Sequence, residues 1–201
     1  MPVVHDRGAC ADTKMLDVKP VTSKNLAHLE ELFSSEESAK SCWCMWFIIA
    51  VKEFHQGGSA ANEAKFRALA ENSAHPMGLI AYRDGRPVGW AAVGPRSRYA
   101  RAVKTPTMKA IDLSENDDVW LVPCFFIRPD MRGQKITRAL LERAVKLAKK
   151  SGASAIEGFP TAGAKLGSAD RQVASEHVFE TCGFQAISRP SSNRVVMRLD
   201  L

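Results

Sequence analysis

The stretch Val119–Gly152, VWLVPCFFIRPDMRGQKITRALLERAVKLAKKSG, decides the fold. Val119 to Ile127 is almost wholly apolar and rich in Val, Trp, Phe and Ile, the signature of a strand covered on both faces. Arg128-Pro129-Asp130 stops it, because proline cannot donate to a sheet ladder. From Gln134 onward Ile136, Leu140, Leu141, Ala144, Leu147 and Ala148 recur at helical spacing, one stripe along about four turns. Lys146, Lys149 and Lys150 suit the negative end of the helix dipole, and Gly152 is placed to end the helix. A strand, a tight turn and a helix start leave free backbone N–H groups at the turn, a ready anion site. Arg132, Gln134 and Lys135 sit in that turn, so a phosphate-bearing ligand is expected; the alternative is an ordinary βα unit with a basic surface turn.

Outward from this unit, the chain reads as alternating strands and helices. Met15 to Val21 is a first strand, and Thr22 or Ser23 caps a helix with Leu26, Leu29, Leu32 and Phe33 inward. A helix is expected from about Ala60 to Glu71, after a Gly-rich joint at His55–Ser59. Met77–Tyr82 and Pro87–Val93 form a hairpin through Asp84-Gly85. Gly94 to Asp118 is a long connection with Arg96, Arg98, Arg101, Lys104 and Lys109. It reads as a solvated basic loop, the alternative being cations that meet an anionic acceptor or a phosphate. Ala153–Phe159 is a strand parallel to Val119–Ile127 by a right-handed crossover. A small-residue loop over Pro160–Ser168, a helix over Asp170–Cys182 and strands at Phe184–Ser188 and Val195–Leu199 complete the chain.

The turn Arg132-Gly133-Gln134-Lys135-Ile136-Thr137, followed by RALLERA, resembles the coenzyme A signature of the GNAT superfamily of N-acyltransferases. That signature is Gln or Arg, two residues, Gly, one residue, then Gly or Ala. Arg132 matches its first position, while Lys135 and Thr137 stand where the family has its small residues. Phe179-Glu180-Thr181-Cys182-Gly183-Phe184 is similar to the family's YEKLGF ending, and the likeness spans Met15 to Leu201. It implies a GNAT-like α/β fold: a mixed, mostly antiparallel sheet of about six or seven strands with helices on both faces. Independently of the resemblance, the polar start MPVVHDRGACADTK reads as a flexible arm over 1–14, and the length fits a single domain over 15–201.

The resemblance assigns roles. Phe125, Phe126 and Ile127 would pair through their backbone with the pantetheine arm of acetyl-coenzyme A, the acyl donor. Amides of Arg132, Gly133, Gln134, Lys135, Ile136 and Thr137 would hold the pyrophosphate. Where the family often carries a Tyr acid, this chain has Phe179, which has no proton to give. His177 is the nearby acid candidate. Glu157, a carboxylate in an apolar strand, is the candidate base if it faces the cleft, since burial would raise its pKa. An outward-facing strand-end Glu is the alternative, Asp117 and Asp118 are second choices, and many family members use water instead.

The segment Ser41–Phe54, SCWCMWFIIAVKEF, lies where GNAT proteins shape the acceptor site. Cys42 and Cys44 lack the partners that zinc requires, so no metal is expected. Trp43, Met45 and Trp46 pack in the core, with one face free to line a pocket. Five scattered cysteines and no signal-peptide-like apolar run at the N-terminus fit a reduced, cytoplasmic setting. The +6 charge suits an anionic ligand but is too modest for nucleic acid, and no apolar run reaches membrane length. The expected activity is N-acetyl transfer to a small-molecule or peptide amine, with the oligomeric state open, a homodimer included. The alternative is a non-catalytic acyl-coenzyme A binding or regulatory protein of the same fold. A basic domain contacting nucleic acid through Arg96–Lys109 is a third reading, weakened by Tyr99 being the sole aromatic there.

Overall fold

The computed structural model describes residues 16–109, 112–163 and 172–201. The expected arm over 1–14, most of the loop over 160–168 and residues 170–171 of the helix expected over Asp170–Cys182 lie outside the described residues; of that helix, residues 172–175 are not α-helical and Glu176–Glu180 is. At the centre, β4 (Val119–Ile127) leads through a tight turn into α5 (Ile136–Lys150), close to the limits read from the sequence. Ile136, Leu140, Leu141, Ala144 and Ala148 are buried against the sheet, while Leu147 of the same stripe is half-buried. Burying Ile136, Leu140 and Leu141 contributes roughly 5–9 kcal/mol before chain entropy is counted.

The sheet has seven strands in the order β1-β2-β3-β4-β5-β7-β6, adding β1 (Leu16–Pro20), β2 (Gly78–Arg83), β3 (Arg86–Pro95), β5 (Ala155–Gly158), β6 (Gln185–Ser191) and β7 (Arg194–Asp200). Among the described strands, β4 and β5 are the pair that runs parallel, as the crossover through α5 demands. All other neighbours are antiparallel. The β2–β3 hairpin turns through Asp84 (φ 52°) and Gly85 (φ 78°), two left-handed residues as a tight hairpin requires.

Helices cover both faces. α5 and α6 (Glu176–Glu180) lie on one, over a core containing Phe125, Ile156, Phe179 and Phe184. The other carries α1 (Leu26–Phe33), α2 (Glu37–Cys42), α3 (Val51–Gln56) and α4 (Gly58–Asn72). There Phe33 meets Trp43, Trp90 and Phe126 edge-on, with ring centroids 5.3, 5.9 and 5.9 Å away. The first helix and the helix expected over 60–71 are present as α1 and α4. The intervening segment adds α2, a left-handed reversal at Trp43 (φ 48°) and Cys44 (φ 53°), and α3. That reversal drives Trp43 and Met45 into the core and leaves Trp46 at the surface of a cleft.

The connection after β3 departs from the solvated basic loop expected. Arg96 is 1% exposed. Arg98 donates to the carbonyls of His75 (2.9 Å), Pro76 (2.9 Å) and Val93 (3.1 Å) and to Ser73 Oγ (2.7 Å). Arg101 lies 3.9 Å from the Trp46 ring centroid. A guanidinium has five N–H donors to satisfy, and here distant segments supply acceptors that no local pattern announces.

Candidate functional site: a groove at the splay of β4 and β5

β4 follows β3 along its length, yet meets β5 only at Val119, Trp120 and Leu121. Beyond Leu121 the two parallel strands part, because β5 ends at Gly158 and Pro160 cannot extend the ladder. Pro123, unremarked in the sequence reading, sits at a register shift between Ala92 and Gly94 of β3, where Val122 and Pro123 oppose Val93. The backbone edge of Phe125–Ile127 therefore faces a groove rather than another strand.

That groove, about 250 Å³, is lined by all nine residues read from the sequence as donor-binding: Phe125, Phe126, Ile127, Arg132, Gly133, Gln134, Lys135, Ile136 and Thr137. Its far wall comes from Gln172, Ala174, Ser175 and Val178. The turn reaches the helix through Gly133 (φ 75°) and Lys135 (φ 61°), both left-handed. Lys135 thus adopts the conformation for which glycine is favoured, which accounts for a small residue being usual at this position. The first backbone bond into α5 is Ala139 N–H to Lys135 O, 3.2 Å, so the amides of Ile136, Thr137 and Arg138 have no intrahelical acceptor. These amides, the helix dipole and the Lys135 side chain form an anion cradle. Arg83 pins the turn by donating to Gln134 Oε1. Arg132 pairs with Glu36, a residue from the start of α2 that also lines the groove.

Two further cavities share wall residues with the groove. A small pocket of about 10 Å³ is walled by Phe33, Ala39, Cys42, Cys44, Cys124, Phe126 and Gln172. Beyond it lies a cleft of about 590 Å³, with Trp46, Phe47, Phe54, Met108 and Val173 as apolar walls and Glu36, Ser38, Ser41 and Arg194 as polar ones. Gln172 borders all three spaces. The thiols between them are packing groups. Cys44 Sγ lies 3.4 Å from Cys124 Sγ and accepts from Trp90 Nε1 at 3.2 Å. Burial pushes the Cys42 thiol up to about 12, and the hydrogen bond with Cys44, with burial, holds the Cys124 thiol well above its usual range. Among the described residues no group of His, Cys, Asp and Glu is arranged to hold a metal ion.

The residues read as acid and base lie elsewhere. Ile156 packs beneath α5, so alternation turns Glu157 to the opposite face, as the sequence reading required for a cleft-facing carboxylate. There it meets Arg96 Nη1 through Oε2 (3.2 Å) and Arg198 Nη1 through Oε1 (3.2 Å). Glu115 closes the cluster, 3.0 Å from Arg198 and 3.6 Å from Arg96. Glu157 borders neither the groove nor the cleft. The His177 side chain is 82% exposed on α6, with Nδ1 3.8 Å from Glu180. Phe179 is fully buried against Phe125 and Phe184. Its ring also occupies the space over Gly158, where an added Cβ would lie 2.3 Å from it. Glu36 and Gln172 escaped the sequence reading because neither belongs to a motif.

A mixed, mostly antiparallel sheet that opens after a short parallel pairing, with free helix-start amides at the opening, is the arrangement the GNAT resemblance implies. The profile described as Acetyltransferase (GNAT) family matches residues 43–184, and the chain belongs to that family. Among solved structures it is similar to the GNAT-family acetyltransferase of Streptococcus pneumoniae (TM-score 0.55, 13% identity, 93% of this chain and 99% of that one). It is also similar to yncA of Salmonella typhimurium, solved with acetyl-CoA (0.54, 13%, 92% and 94%). The PaiA N-acetyltransferase of Thermoplasma acidophilum, solved with coenzyme A, is a third such structure (0.50, 13%, 93% and 99%). At these identities the likeness concerns the fold. A search of curated proteins finds no match.

Proposed function

We propose that this chain transfers an acetyl group from acetyl-coenzyme A to an amine. The observation that carries the reading is the convergence of the nine donor-binding candidates on one groove with an anion cradle at its end. In this reading the free edge of Phe125–Ile127 pairs with the pantetheine arm, and one of its N–H groups faces the thioester oxygen as charge develops there. The amides of 133–138, with Arg132 and Lys135, take the pyrophosphate. The small pocket beside Phe126 is at the lower limit for one water-sized group, which supports a short acyl chain over longer ones. The amine enters by the larger cleft. Glu157 is engaged by two guanidiniums and His177 is exposed, which supports water as the carrier of the protons. Four free thiols among the described residues support a reducing, cytoplasmic setting.

The absence of an acid at Phe179 favours a second reading, a non-catalytic acyl-coenzyme A binder. Calorimetry with coenzyme A and thiol release from acetyl-coenzyme A across a panel of amines separate the two. Micromolar binding with turnover supports the enzyme, and binding without turnover of any amine supports the binder. Arg132→Glu should weaken coenzyme A binding by about ten-fold or more, since it removes a charge-assisted phosphate contact and adds a like charge. Unchanged affinity would remove the pyrophosphate assignment.

A further inference from the structure

We infer that Glu36 receives the ammonium group of the acceptor, that Arg132 occupies it until donor phosphate draws that arginine away, and that the acceptor is a primary amine on an apolar body. The inference rests on the acetyl-coenzyme A reading of the groove. Glu36 lines both the donor groove and the acceptor cleft, and it is the one carboxylate among the described residues lining the cleft. Its partner Arg132 belongs to the phosphate turn, although the two are far apart in sequence. Ser38 Oγ donates to Glu36 Oε1 at 3.2 Å and orients the carboxylate.

An ammonium gains little from a carboxylate whose charge an arginine already balances. A pyrophosphate seated on the α5 amides brings more negative charge than a single carboxylate and offers Arg132 a bidentate partner. Both side chains of the present pair are about one-third exposed (35% and 37%), so the exchange is cheap. Once released, Glu36 stands where groove and cleft share a wall, together with Gln172, which also borders the small pocket. Of the remaining walls, Trp46, Phe47, Phe54, Met108 and Val173 form an apolar side, with Arg101 stacked on Trp46, while Ser38, Ser41, Gln172 and Arg194 are polar. A cationic head at Glu36 and an apolar body between Trp46, Phe54 and Met108 match that distribution.

The test uses the full chain and coenzyme A as the probe, titrated by calorimetry at low ionic strength. Glu36→Gln should bind coenzyme A about two- to five-fold more tightly than the native chain, because no ion pair has to be broken, and the gain should shrink as salt is added. Gln retains an acceptor for Ser38, and a thermal scan checks that the variant is folded. Equal or weaker binding by Glu36→Gln overturns the inference. A native chain that binds no coenzyme A is a different result and overturns the reading of the groove instead. With acetyl-coenzyme A present, 2-phenylethylamine should exceed methylamine in kcat/KM. Its KM should rise about ten-fold or more in Glu36→Gln and recover in part in Glu36→Asp. A preference for methylamine, turnover of neither amine, or an unmoved KM overturns the acceptor assignment.

Discussion

Replacing Glu157 by Gln tests whether this carboxylate holds the fold or runs the chemistry. Its side chain is 4% exposed and that of Arg96 is 1% exposed, so the pair is buried. Removing one member of a buried pair costs about 3–5 kcal/mol, because the other charge is left uncompensated. Here the loss is softened. Arg96 keeps Asn116 Oδ1 at 2.9 Å, the Asp112 carbonyl and Glu115 at 3.6 Å, and the Gln oxygen still accepts. The expected loss is therefore about 3 kcal/mol, equivalent to roughly 6–12 °C in Tm for a chain of this size. Urea unfolding followed by tryptophan fluorescence measures it, with the slope checked for constancy. Arg96→Met should cost as much, and Glu157→Leu with Arg96→Met should cost less than the sum by about 1.5 kcal/mol or more. A Glu157→Gln chain within about 1 kcal/mol of native would refute the structural role. Turnover of the same variant decides the chemical one. A retained rate leaves proton transfer to water, whereas a loss of about 10²-fold together with the acidic limb of the pH–rate profile assigns it to Glu157.

Lys135→Gly should raise the urea midpoint by an equivalent of about 1 kcal/mol or less, since Lys135 sits at φ 61° and glycine is unstrained there; an unchanged or lower midpoint would show that the turn carries no strain. Acetyl-coenzyme A should exceed butyryl-coenzyme A in kcat/KM by about ten-fold or more, given a pocket of about 10 Å³, and equal values would place the acyl group elsewhere. The hydrogen bond from Arg198 holds the Glu115 carboxyl below its ordinary 4.5. Its contribution to stability is therefore full above that value and is lost as pH falls through the lowered one. Glu115→Gln should make the acid fall in the urea midpoint shallower, and an identical acid profile would discount the cluster.

The groove was legible in local sequence because its parts are local. An apolar run, a proline stop, a basic turn and a helical stripe follow one another between Val119 and Gly152, and each is set by short-range preferences. The hairpin at Asp84-Gly85 was legible for the same reason. Ordinary patterning also pointed Glu157 to the correct face, because strand alternation is local. What that face holds was not legible. Arg96 and Arg198, which flank Glu157 there, come from the connection after β3 and from β7, elements that alternation in β5 says nothing about. The basic connection read as solvated for a similar reason: its arginines looked like charges without partners until folding brought carbonyls, a carboxylate and an indole to them.

By itself, then, the sequence determined the order of elements, the strand–turn–helix cradle and its basic character, since periodicity, turn chemistry and the helix start act over a few residues. The tertiary structure alone decided that β4 and β5 meet at only three positions and then part, so that a backbone edge is left open beside the cradle. It alone placed Glu36 against Arg132 and between two cavities. Strand separation and long-range ion pairs depend on how whole layers pack around a shared core, and no window of neighbouring residues contains that information.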